Sequence, residues 1–139
     1  MKLSQAFAAF RQSLITDKNH AILNELVPSF NAECEDIRRR VEEDFNTYKN
    51  QAKADNLKKA LTYDLVMRRK QVIEKVQEEL QNEVDKRLAR DGATIEELEV
   101  PDSKREGHVK TILQATFPDE SVARVPQALW IDYSAFDRV

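Results

Sequence analysis

The sequence predicts an all-α protein built on a long antiparallel, coiled-coil-like helical hairpin, with flanking N-terminal helices and a small C-terminal helical part. Three observations lead there. The 139 residues contain only two glycines, Gly92 and Gly107, and a β-rich chain of this length would use many more in its turns. Charged residues make up 34% and aromatics 7%; the charged share is above the usual quarter and suits long solvated helices. Finally, no proline or glycine interrupts the chain from Ser29 to Asp91, and apolar residues recur there at helical spacing.

The first element is a helix over about 2–16, with Leu3, Phe7, Phe10 and Leu14 on one face. Asp17, Lys18 and Asn19 punctuate it, and Asn19 is placed to cap a short second helix carrying Ile22, Leu23 and Leu26. Pro28 restricts Val27 and marks a boundary. From there Phe30, Cys34, Ile37, Val41, Phe45 and Tyr48 form a narrow stripe, the seam of a helix–helix contact. The stripe fades over residues 49–56. A turn is expected there, with Asp55 or Asn56 as the next cap, because a hairpin lets each helix bury its stripe on the other. The alternative is one straight rod.

The following helix, about 56–91, carries Leu57, Leu61, Leu65, Val72, Val76, Leu80, Val84 and Leu88. A step of four overshoots a full turn by ~40°, so this stripe winds, and its two halves face different neighbours. The later half, Leu80, Val84 and Leu88, is expected to meet the N-terminal helices or another subunit. Arg90-Asp91-Gly92 ends the helix with a basic last turn and a terminal glycine.

The composition then shifts. Residues 29–91 hold fourteen basic and fourteen acidic side chains, but residues 92–139 hold five basic and nine acidic, so the acidity lies in the C-terminal part. Two domains are drawn on this basis: a helical hairpin domain at 1–91 and an acidic segment with an aromatic tail at 92–139. Thr94-Ile95-Glu96-Glu97 and Ser103-Lys104-Arg105-Glu106 both fit the capping box. They predict a short helical turn at 94–99 and, after Pro101, a helix from 103 to about 116 with Val109, Ile112, Leu113 and Phe117 on its face. The segment 128–136 is strongly apolar and reads equally as helix or strand.

Candidate sites follow from charge and aromaticity. Arg38-Arg39-Arg40 and Arg68-Arg69-Lys70 are basic triplets of the sort that bind phosphate or nucleic acid. In the first, every arginine has an acidic residue four positions away, which makes it a self-neutralised face. In the second, Arg69 has no acidic residue three or four positions away. A hairpin turning near residue 53 would set positions 38 and 68 level and join the triplets into one belt. In the tail, Trp130, Tyr133 and Phe136 form either a segment folded back over the hairpin or a docking anchor, since Trp and Tyr concentrate at interface hot spots. Leu80, Val84 and Leu88 join them as candidate protein-binding residues.

Several chemistries lack their residues. Phosphate loops, nucleophile elbows and dinucleotide fingerprints need glycines at set positions. One cysteine and two histidines do not make a zinc site, and no Glu-x-x-His pair is present for a di-iron bundle. A net charge of −3 argues against a non-specific nucleic-acid binder. No apolar run reaches membrane-span length, and the N-terminus has no secretory apolar core, so a cytoplasmic location, in the protein's own cell or a host's, is expected. The expected function is that of a non-catalytic, cofactor-free protein-binding protein: an adaptor, assembly factor or small inhibitor or regulator, of phage or plasmid type, acting through helical surfaces on another protein or on itself as a homodimer. One alternative is a nucleic-acid module using the basic belt. The other is an enzyme with a motif-less site near Cys34, which otherwise reads as a small buried hydrophobe on the stripe.

Overall fold

The structure is a computed structural model of the 139-residue chain and describes residues 1–125 and 132–138. It is not all-α. Helix α1 (Leu3–Ala21), a π-helical turn (Ile22–Leu26), α2 (Val27–Tyr48) and α3 (Gln51–Arg90) are followed by strands β1 (Thr94–Pro101), β2 (Val109–Thr116) and β3 (Val122–Val125) and a 3-10 turn at Tyr133–Ala135. The three strands form one antiparallel sheet in the order β1-β2-β3.

The first correction concerns the N-terminal helices. No cap forms at Asn19, and no boundary forms at Pro28. The chain continues as 46 helical residues into α2. A proline inside a helix removes one hydrogen bond and drives its ring into the carbonyl four residues back. Here Pro28 sits in the first turn of α2, and the Val27 N–H reaches back five residues to the Ile22 carbonyl. That wider turn relieves the clash, so a π turn takes the place of a break.

The hairpin turn is present but earlier than its spacing suggests. Lys49 adopts a left-handed conformation (φ 52°) and its N–H donates to the Phe45 carbonyl at 2.7 Å. Asn50, rather than Asp55 or Asn56, caps α3: its side-chain oxygen accepts from the Lys53 N–H at 3.1 Å. Ion pairs across the hairpin, Arg68 to Glu33 at 3.0 Å and Lys53 to Asp44 at 3.7 Å, set α2 antiparallel to the first part of α3. At its far end, α3 stops at Gly92 (φ 70°). The Gly92 N–H bonds to the Ala89 carbonyl and the Ala93 N–H to the Leu88 carbonyl, the paired closure of a Schellman motif.

The second correction is the acidic C-terminal part. Residues 94–101 and 109–116 are strands, not helices. Their register pairs Ile95 with Ala115 and Leu98 with Ile112, and β3 places Val125 opposite Leu113 and Ala123 opposite Ala115. Ala115 and Val125 are buried on one face. Thr94, Ile95, Val100, Val109, Thr111, Ile112 and Thr116 are β-branched and suit a pleated surface better than a helix. Glu97 and Glu99 are exposed on the outer strand β1, which ends in Pro101; charge and proline both discourage further strands from adding there.

Contacts divide the chain into two compact units, Met1–Asp17 with Gln77–Trp130 and Lys18–Val76 with Ile131–Val139, a division that differs from the composition shift at residue 92. In the first unit, Phe7, Leu80, Val84, Leu88, Ala115, Phe117 and Val125 are buried, and the Phe7 and Phe117 rings lie 5.8 Å apart. The start of α1 is capped from the β2–β3 connection. Asp119 accepts from the Leu3 N–H at 2.8 Å, and the Ser121 hydroxyl oxygen accepts from the Ser4 N–H at 3.0 Å. In the second unit, Ile22, Val27, Phe30, Cys34, Ile37, Ala54, Leu65, Ile73 and Phe136 are buried.

The Asp119 cap carries a pH signature. The Leu3 N–H, with further bonds from Ser121, holds its carboxyl below the usual carboxylate range. A lowered folded-state pKa stabilises above the unfolded value of about 4 and is lost as pH falls through the folded value. Asp119→Asn keeps an acceptor but removes the charge from the helix N-terminus. The thermal midpoint of this variant is expected below that of the parent at pH 7, with the gap closing as pH drops below about 4. A gap constant across that range would contradict the assignment.

Candidate functional site

The second unit has an open groove along the hairpin. Its volume is about 390 Å³. Leu26, Ser29, Phe30 and Glu33 line one wall, and Leu65, Arg68, Arg69, Gln71, Val72 and Lys75 line the other. The spacing follows from helix geometry: three or four residues apart places side chains on one face. The π turn ends at Leu26 and therefore sets the end of the first wall. Phe30 and Leu65 are buried, whereas Val72 is 44% exposed. The apolar floor thus carries an accessible apolar step, with a charged rim of three cations and one carboxylate.

Arg69 explains its own missing acidic neighbour. Its guanidinium lies over three aromatic rings, at 4.8 Å from the centre of Phe30, 5.1 Å from Phe136 and 5.2 Å from Tyr133. A planar guanidinium can lie against ring faces, so the rings take the place of a carboxylate partner. The rings also meet each other: Phe136 stands edge-on to Phe30 at 5.2 Å. The Asn31 amide donates to the Ala135 carbonyl at 3.3 Å, and its side-chain oxygen accepts from the Asp137 N–H at 2.8 Å. Asp132 caps the 3-10 turn by accepting from the Ser134 N–H, and the bonds from the Ser134 hydroxyl and then its N–H lower the Asp132 pKa. Residues 132–138 are therefore strapped onto α2. Of the tail aromatics, Phe136 is buried and Tyr133 is half-exposed. Trp130 lies outside the described residues.

The basic triplets do not make a joined belt. With the turn at Lys49–Asn50, Arg68 stands opposite Glu33, not opposite Arg38. Arg68 also bonds Asp64 at 3.1 Å, and these carboxylates raise its pKa further. Arg38 pairs with Glu35 at 2.6 Å and donates to the Arg138 carbonyl at 2.8 Å; Arg39 pairs with Asp36. Lys70 reaches Glu74 at 3.8 Å. Arg40 is exposed. The carboxylates answer most of the cations locally, the pattern of a solvated face.

Leu80, Val84 and Leu88 are 3–5% exposed and lie in the core of the first unit. They present no free stripe. Cys34 is fully buried, and burial pushes its thiol pKa up, the direction opposite to that of a reactive thiolate. Among the described residues, no group of three or more His, Cys, Asp or Glu side chains is placed to hold a metal ion. Among the same residues, no helix is long and apolar enough to cross a membrane.

The sequence left the groove unseen, because its lining mixes stripe residues with Ser29, Gln71 and Lys75, which read as solvent face. Comparison with known proteins finds no matching family, no matching curated protein and no matching solved structure.

Proposed function

We propose that this chain is a non-catalytic binding protein that engages another protein through the groove of its helical hairpin. The observation behind this reading is the apolar trough between α2 and α3, with Val72 exposed beside buried Phe30 and Leu65. Two antiparallel helices leave a furrow that a third helix fills, ridges into grooves, and amphipathic segments dock in such furrows through apolar anchors. A partner chain is favoured over self-association because the stripe that argued for a homodimer, Leu80, Val84 and Leu88, is buried within the chain itself. The reading is that of an adaptor or small regulator.

The test is selection from a displayed library of three-turn helices, run against the parent chain and against Val72→Asp. The expected result is enrichment on the parent of sequences with apolar residues at three- and four-residue spacing, absent on the variant. Equal recovery on both would remove the groove from the account.

A further inference from the structure

We infer that the occupant of the hairpin groove is an amphipathic helix with acidic flanks, supplied by another protein; this rests on the binding function proposed above. The α3 wall runs from Leu65 to Lys75, a length of ~15 Å or about three helical turns. Both walls are helical, and their apolar members, Leu26 and Phe30 on one side and Leu65 and Val72 on the other, recur at four- and seven-residue steps. That is the pattern a third helix meets with its own anchors.

The rim then selects among helices. Arg68, Arg69 and Lys75 stand on the α3 wall; Arg68 is paired with both Glu33 and Asp64, so the charge the wall offers a ligand is that of Arg69 and Lys75. Glu33 is already engaged by Arg68 at 3.0 Å. Arg69 is held over its three rings and presents its charge at the groove wall. A helix carrying lysines along its flanks would bring like charges together at Arg69 and Lys75, whereas one carrying glutamates would meet complementary charge there.

The test uses three synthetic helical peptides of equal length with the same leucine anchors and with Glu, Gln or Lys at the flanking positions. Binding to the full chain is read by fluorescence anisotropy at low salt. The variants are Val72→Asp, which puts a charge on the exposed apolar step, and the double exposed-rim variant Gln71→Glu with Lys75→Glu, which leaves the Arg68–Glu33 pair intact. Solvent-exposed ion pairs are individually weak, so the Glu peptide is expected to bind about three- to tenfold tighter than the Lys peptide. That order should shrink or invert on the double variant, and salt should narrow it. If all three peptides bind equally and Val72→Asp abolishes binding, the charge inference is overturned and the groove reading stands. If none binds, both fall. If light scattering instead shows a dimer that Val72→Asp dissociates, a second copy fills the groove and the acidic partner is overturned.

Discussion

Phe7→Ala is expected to destabilise the chain by about 3–5 kcal/mol, the usual cost of truncating a buried phenylalanine. Phe7 is 1% exposed, and its ring meets Phe117 at 5.8 Å. Removing it leaves a cavity against a residue that immediately follows β2. Phe117 in turn holds the β2–β3 connection, whose Asp119 and Ser121 cap α1. The loss therefore reaches both a helix start and a sheet. Denaturant unfolding monitored by circular dichroism gives the magnitude. Amide exchange should show Ala115 and Val125 losing protection together with the first turn of α1. A loss under about 1 kcal/mol, with unchanged exchange in the sheet, would mean that Phe7 is not in the core of this unit.

Phe30→Ala is expected to cost a similar ~3–5 kcal/mol, with a second, local consequence. Phe30 is buried beneath the Arg69 guanidinium, beside Phe136, and is part of the groove floor. Its removal takes one ring from the cation's stack and the edge-on contact from Phe136. The strap at 132–138 then depends on the Asn31 bonds, the Arg38 contacts and the remaining contacts of Arg69 with Tyr133 and Phe136. Faster exchange at Ser134 and Phe136 is the expected mark, and Phe30→Leu should restore most of the global stability with less of the strap protection. Stability lost without any change in exchange at those two amides would separate the strap from Phe30.

The reach of the sequence can be judged from particular residues. The stripe from Phe30 to Phe45 and the end of α3 at Gly92 were legible, because helical periodicity over four or more turns and a terminal glycine are strong local signals. The sheet was not. Val109, Ile112 and Leu113 satisfy helical spacing in a run too short to arbitrate, and Thr94 with Glu97 mimics a capping box. The contrary signals were the β-branched residues at 94, 95, 100, 109, 111, 112 and 116, and the prolines at 101 and 118; they carry weight only with cross-strand partners, which are set by tertiary pairing.

The candidate site was legible only in fragments. Arg69 stood out for its missing acidic neighbour, but three rings distant in sequence supply its partners. The level of the two basic triplets depended on the turn position. A shift of the turn from 53 to 49–50 moves the opposing helix by twice that difference, so Arg68 faces Glu33. Leu80, Val84 and Leu88 looked spare because the sheet that joins their unit was read as helix.

The hairpin groove as the binding face is tested most directly by an amide chemical-shift titration of the full chain with the glutamate-flanked helical peptide. The expected result is perturbation centred on Leu26, Ser29, Phe30, Glu33, Leu65, Arg69, Val72 and Lys75, with the amides of β1, β2 and β3 unmoved. Shifts centred on the strands, or no shifts at millimolar peptide, would contradict it.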